Sequence, residues 1–302
     1  MPTMPMRGPT TLRTNLRVRI AGGPILVAPG VFDGLSARVA EEAGFEAVYA
    51  SGGAIARSSG MPDLGLLDFS EMVARIRQIA QAVALPVIAD ADTGYGNALA
   101  VRRTVRAYEE AGAAALHLED QAAPKRCGHY EGQELIPLEE MAGKVRAALE
   151  ARTDPDFVII ARTDARAVNG LDDALQRGQA YAKAGADMVF VEAPRSLEEV
   201  QMIARAISRP LLYNMTYSGK SPLLRPLELD ALGYRLVIFP ADAQLAAIWG
   251  MRRALAALRR DGRSPEAERA TFADRDALVH LDEYLTLADR YGRAGGGRGL
   301  TT

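Results

Sequence analysis

Eight short runs of β-branched and small apolar residues recur along the chain, at 25–27, 47–50, 87–89, 115–118, 157–161, 188–191, 211–213 and 236–239. Between most of them lie Ala-, Arg- and Glu-rich stretches with helical periodicity, at 71–81, 98–110, 138–151, 171–183 and 197–206. Strands that alternate with helices build a parallel sheet, because each crossover helix brings the chain back to start the next strand in the same direction. Several helical stretches end alike, in Glu-Ala-Gly44, Glu-Ala-Gly112, Lys-Ala-Gly185 and Ala-Leu-Gly233, where glycine supplies the left-handed residue that precedes a short loop. Eight such units have the size of one closed barrel. The competing doubly wound sheet carries a glycine fingerprint after its first strand, whereas here that turn reads Ala28-Pro29-Gly30-Val31-Phe32-Asp33. The expected fold is therefore α/β, a (β/α)8 TIM barrel forming a single domain over residues 1–302. The barrel is expected at about 15–255, with an extra N-terminal helix up to Ile20 and a C-terminal helical extension at about 256–302. Within that extension, charged amphipathic helices are expected at 265–291 and a flexible Gly-rich tail at 293–299.

Composition removes several function classes. The 302 residues are 48% hydrophobic, enough for one large core. The 36 basic and 38 acidic residues nearly cancel, so neither nucleic acid nor an anionic membrane is an expected partner. The longest apolar runs, such as 157–161 and 188–191, fall far short of a membrane span. The first residues, through Arg13, contain no apolar segment of the kind a secretory signal needs. One cysteine excludes an intramolecular disulfide framework and fits a reducing compartment. A soluble, cytoplasmic protein is expected.

In a parallel barrel the chemistry collects at the C-terminal ends of the strands, so polar residues there are the candidates. The third strand ends in Asp90-Ala-Asp92-Thr-Gly94. Residues two apart share a strand face, and two converging carboxylates repel unless a cation or proton lies between them. An all-oxygen site with open positions suits Mg²⁺, and the competing reading is an N-cap followed by a turn aspartate. The fourth strand ends in His117-Leu-Glu119-Asp120. There Glu119 is a third acidic candidate, and His117 reads as a hydrogen-bonded residue of the barrel interior rather than a ligand. The next loop, Lys125-Arg-Cys-Gly-His129, holds the only cysteine. A lone cysteine is normally a small buried hydrophobe, but cations within two residues stabilise a thiolate and make Cys127 a usable acid or base. Gly128 and Gly132 suit a closing lid. Arg162 at the fifth strand end can bind a substrate carboxylate bidentately, and either it or Glu192 at the sixth strand end can instead form half of a structural ion pair. Ser51-Gly52-Gly53 present backbone N–H groups to an anion, and Asn214 and Thr216 add neutral hydrogen-bonding groups.

Five segments together, Tyr49-Ala-Ser-Gly-Gly53, Asp90-Ala-Asp-Thr-Gly94, Glu119-Asp-Gln121, Lys125-Arg-Cys-Gly-His129 and Ala161-Arg-Thr-Asp164, resemble the isocitrate lyase/phosphoenolpyruvate mutase superfamily. The resemblance spans about 15–255. Its cysteine loop is similar to that of the lyase branch, which cleaves isocitrate, 2-methylisocitrate or 2,3-dimethylmalate, whereas the phosphonate enzymes carry an asparagine-containing sequence there. The resemblance implies that Asp92 binds Mg²⁺ (or Mn²⁺) directly while Asp63, Asp90 and Glu119 hold its water shell. It implies that Tyr49, Ser51, Gly52 and Gly53 bind the 2-oxo acid half of the substrate with Arg162. It further implies that Cys127 is the general acid in a gating loop, that Gly128, His129, Asn214 and Thr216 hold a second carboxylate, and that Glu192 and Lys125 support the site. A homotetramer with swapped C-terminal helices is implied as well.

One position departs from that pattern. After the eighth strand, 2-methylisocitrate lyases resemble a sequence with an arginine shortly beyond a Tyr/Phe-Pro pair, and here Phe239-Pro240 is followed by Gln244 and Leu245. A carboxylate facing leucine loses a charge-assisted hydrogen bond. The expected substrate is therefore a dicarboxylate of the 2-alkylmalate type in preference to a tricarboxylate, cleaved to a 2-oxo acid such as pyruvate plus a carboxylate. The alternatives are a phosphonomutase acting on carboxyphosphonoenolpyruvate or phosphoenolpyruvate, and an oxaloacetate hydrolase or decarboxylase.

Overall fold

Eight parallel strands pair in sequence order: β1 (Leu26–Val31), β2 (Val48–Ala50), β3 (Val87–Asp90), β4 (Ala115–Glu119), β5 (Val158–Thr163), β6 (Met188–Val191), β7 (Leu211–Asn214) and β8 (Tyr234–Phe239). The last pairs back onto the first, from Leu26 opposite Leu236 to Pro29 opposite Phe239, which closes the barrel and excludes the doubly wound sheet. The computed structural model describes residues 8–292 apart from 129, 131, 218 and 266–268.

Strands covered on both faces are largely apolar, and every residue of β2 to β7 is buried, the polar ones lying toward the C-terminal strand ends. Tyr49, Ile88, Ala115, Ile160, Phe190, Leu212 and Leu236 pack together inside the barrel. Their neighbours in sequence, such as Ala89, Leu116 and Ile159, face outward onto the helices. Leu16 and Ile20 of the Pro9–Ala21 helix join the interior cluster, so that helix plugs the N-terminal end. Each such large apolar side chain contributes about 1.5–3 kcal/mol on burial. Arg13 fastens the plug, donating to the carbonyls of Ala113 (3.0 Å) and Glu109 (2.5 Å) and to Asp154 (3.1 Å). The four glycines at 44, 112, 185 and 233 all have positive φ (84°, 100°, 105° and 94°), as the repeated helix ending requires.

The chain divides into two compact units, Arg7–Ala247 with the barrel and a second that includes Ile248–Thr302. The division falls inside the unbroken Asp242–Asp261 helix, ahead of the 255/256 boundary expected from sequence. The second unit also contains the helices Phe272–Leu278, capped by Thr271, and Leu281–Gly292, neither with a buried residue. The Gly-rich tail at 293–299 lies outside the described residues. No helix among the described residues is long and apolar enough to cross a membrane.

Candidate active site

β3 ends at Asp90, so Asp92 lies in the turn beyond it and strand alternation does not bring the two carboxylates together. A local hydrogen bond does so instead: the Asp92 N–H donates to Asp90 Oδ1 (2.9 Å), with Asp92 held at φ 47°. A non-glycine residue in that region stores about 1–3 kcal/mol of strain, the kind of cost found at functional sites. Burial pushes the Asp92 carboxyl up to about 6, against the pull of Lys125. Burial acts on Asp90 in the same sense, but His117, Lys125, Arg162 and the Asp92 N–H outweigh it and draw that carboxyl down. The pair therefore holds its protons unequally.

The Lys125 ammonium lies between Asp63 and Asp92, ion-paired with both, at 2.8 Å from Asp92. Its neighbouring carboxylates raise its pKa despite burial, so it stays charged. Asp63 also closes on the backbone of Gly53, where a Cβ would lie 2.8 Å from Asp63 Oδ2. A Cβ on Gly52 would lie 2.5 Å from Asp90 Oδ2, so this glycine pair brings the β2 segment into contact with both acids. Ser51 caps the short Gly52–Ser58 helix through its hydroxyl.

Tyr49 is buried inside the barrel, with its hydroxyl held by His117 Nε2 (2.9 Å) and Asp90 (3.3 Å), so it supports Asp90. His117 is the interior, hydrogen-bonded residue expected from its alternation, and burial holds its imidazole down at about 4, leaving it neutral.

Arg162 is the cationic centre of the opposite side. It meets Asp164 through Nε (3.0 Å) and Nη2 (2.8 Å), Glu119 through Nη1 (3.2 Å) and Glu192 through Nη2 (3.4 Å). Glu192 also accepts from the Ala193 N–H (2.8 Å) and from Asn214 Nδ2 (3.1 Å), whose Oδ1 accepts from Thr216 (2.8 Å). Gly128 of the cysteine loop packs onto this cluster: a Cβ there would lie 2.5 Å from Arg162 Nη2, 2.6 Å from Glu192 and 2.8 Å from Asp164. Cys127, half-buried, is thereby carried to the strand ends. The loop is held by Gln133, which donates to the carbonyls of Cys127, Gly128 and Tyr130, and by Gln121, which brackets the backbone of Arg126. His129 lies outside the described residues.

Among the described residues no three acidic, imidazole or thiol groups converge into a cage that could hold a metal alone. The donors fit an ion held by one carboxylate and water. They are all oxygens, and Oε1 of buried Glu119 has no hydrogen-bond partner. Asp92, Asp90, Asp63 and Glu119 are the residues that would hold it.

Sequence reasoning gave no role to Asp164, although it stands at a strand mouth next to Arg162 and was readable there. It also missed Asp120, Gln121 and Gln133. Gln121 stands in one of the segments that carry the resemblance and Gln133 in none, and the contacts of both depend on the loop folding back over them.

Residues 16–259 match the family model described as phosphoenolpyruvate phosphomutase. A 2,3-dimethylmalate lyase of Eubacterium barkeri is 44% identical over 92% of this chain and 97% of its own length. A 2-methylisocitrate lyase of Aeropyrum pernix is 49% identical over 77% of this chain and 75% of its own. Among solved structures, an oxaloacetate acetylhydrolase bound to 3,3-difluorooxalacetate superposes with a TM-score of 0.90 at 34% identity, over 96% of this chain and all of that one. A phosphonopyruvate hydrolase holding oxalate and Mg²⁺ does so with a TM-score of 0.85 at 34% identity, covering 92% and 98%.

Proposed function

Because this chain belongs to the phosphoenolpyruvate mutase/isocitrate lyase superfamily, we propose that it is a carbon–carbon lyase that cleaves a 2-hydroxy dicarboxylate of the 2-alkylmalate type into a 2-oxo acid, such as pyruvate, and a carboxylate. The observation that supports this reading is the packing of Gly128, the residue after Cys127, onto Arg162, Glu192 and Asp164, which sets the cysteine loop against the acid- and cation-lined strand ends. A bound Mg²⁺ (or Mn²⁺) supplies Lewis acidity that lowers the pKa of the substrate hydroxyl. Arg162 orients the 2-oxo acid half with the backbone at Ser51–Gly53. A base at the strand ends takes the hydroxyl proton, the freed oxygen pair forms the carbonyl of the 2-oxo acid, and the C2–C3 bond breaks with its electron pair passing to the departing carboxylate fragment as an enediolate. Cys127 protonates that fragment at carbon, with Gly128, His129, Asn214 and Thr216 holding its carboxylate. Lys125 and Glu192 support the site through Asp63 and Asp92 on one side and Arg162 on the other.

Leu245 supports a two-carboxylate substrate. It is half exposed on the Asp242–Asp261 helix, and the adjoining Gln244 is buried with its amide on the Ala54 carbonyl (2.8 Å), so neither residue offers a cation to a third carboxylate. The same feature, with the likeness to an oxaloacetate acetylhydrolase, favours oxaloacetate cleavage as the second reading. A panel of 2,3-dimethylmalate, 2-methylisocitrate, oxaloacetate and phosphonopyruvate, assayed with Mg²⁺ and with EDTA, separates them. Pyruvate from a malate derivative, lost with EDTA and reduced about 10²- to 10⁴-fold in Cys127→Ser, is the expected result. Turnover of phosphonopyruvate alone would move the chain to the mutase class, and EDTA-insensitive cleavage would remove the metal.

The apolar residues Trp249, Leu255, Phe272, Tyr284 and Tyr291 of the second unit are exposed in the single chain, which supports a homotetramer built by exchange of the C-terminal helices. Balanced charge and a single cysteine support a cytoplasmic location.

A further inference from the structure

Asp120 follows β4 directly and has no exposed surface. Four donors close on its carboxylate: Thr163 Oγ1 (2.7 Å), Tyr181 Oη (2.7 Å) and Arg177 Nη1 (3.2 Å) on Oδ2, and the Asp164 N–H (3.0 Å) on Oδ1. Arg177 and Tyr181 stand one turn apart on the buried face of the Leu171–Lys183 helix, outside the barrel wall. Asp120 thus grips the hydroxyl of the first residue after Arg162 and the N–H of the second. Asp164, fixed in this way, takes the Arg162 guanidinium by two parallel hydrogen bonds. An arginine side chain has several rotatable bonds, and a bidentate partner that cannot itself turn is what gives it one bearing.

The cluster has a second attachment. Arg177 Nη1 also donates to the Ile136 carbonyl (3.0 Å), and the Ile136 N–H donates to the Asp120 carbonyl (2.9 Å). Gln121 and Leu135 form an antiparallel bridge beside them. This is where the loop carrying Cys127 leaves the strand ends and returns, so one buried node holds both Arg162 and the base of the cysteine loop.

We propose that Asp120, Arg177 and Tyr181 are positioning residues that set the bearing of Arg162 toward the substrate carboxylate and register the Cys127 loop over it. None of the three touches substrate. The role given to Arg162 rests on the lyase reading above, but the hydrogen-bond chain that orients it does not. A buried ion cluster that serves stability alone would leave ligand affinity and the guanidinium signal unchanged in a folded variant.

Three measurements on the full-length protein decide this for Asp120→Asn and Tyr181→Phe. They are kcat and KM for the best substrate of the panel, oxalate affinity with Mg²⁺ by calorimetry, and the Arg162 Nε–H resonance in ¹⁵N-arginine-labelled protein, assigned by its loss in Arg162→Lys. Asp120→Asn is expected to weaken oxalate by about ten-fold or more and to lower kcat/KM to match, chiefly through KM, with Tyr181→Phe losing about three-fold. The Arg162 signal is expected to exchange slowly in the wild type and to broaden in both variants. Unchanged oxalate affinity, or an unchanged Arg162 signal, in a folded variant would overturn the proposal. Should Asp120→Asn not fold, Tyr181→Phe carries the same measurements. A wild type that cleaves no malate derivative would defeat the lyase reading, and the Arg162 signal would still decide the positioning role.

Discussion

At the scale of single residues, the site depends on side chains that are absent as much as on those present. Gly52 and Gly128 admit carboxylates and a guanidinium where any Cβ would collide. Gly128→Ala must therefore displace Arg162 or Glu192. The expected result is a loss of kcat/KM of about ten-fold or more with a melting temperature lowered by only a few degrees, measured by steady-state kinetics and scanning calorimetry. His117 makes a pH-dependent contribution whose sign follows from burial. Its folded pKa, about 4, lies below the ordinary 6.5. As pH falls through 6.5 the unfolded chain takes up a proton that the folded chain refuses, so this residue costs stability progressively down to about pH 4, by at most about 3 kcal/mol. Urea unfolding of the wild type and His117→Asn at pH 7, 6 and 5 checks this: the wild type should lose stability relative to the variant as pH falls, and parallel curves would contradict it.

Among the elements, the leading helix shows how an amphipathic segment of weak periodicity is fixed by one side chain. Its apolar residues Leu12, Leu16 and Ile20 are buried, and Arg13 beside them reaches three acceptors at the barrel's N-terminal end. Arg13→Met keeps the stem and strands two carbonyls and Asp154. A destabilisation of about 2–4 kcal/mol by denaturant titration is expected, with KM unchanged because the chemistry lies at the opposite end. Seven of the eight strands were readable to within two residues, because burial on both faces leaves apolar runs, but β1 continues through Ala28–Val31, which the sequence pattern assigns to the turn after it. The Asp90/Asp92 pair was located for the wrong reason: alternation was assumed to run two residues beyond the strand, where the chain had already turned.

For the whole molecule, the exposed apolar residues of the second unit call for a partner surface. Under the proposed tetramer, replacing Trp249 and Tyr284 together by serine should lower the mass measured by light scattering toward smaller species. A wild type that is monomeric at both low and high concentration would show that the exchange of helices does not occur.

Periodicity, glycine punctuation and the polar residues ending apolar strands determined the closed barrel and which of its ends holds the chemistry, because these patterns record local burial and local backbone geometry. Barrel closure alone decided that Lys125 settles on Asp63, that Gly128 lies against Arg162, that Tyr49 supports Asp90 from inside, and that Asp120 holds Asp164. Such pairings join residues far apart in sequence, and their distance and direction exist only once β8 has met β1 and the loops share one rim.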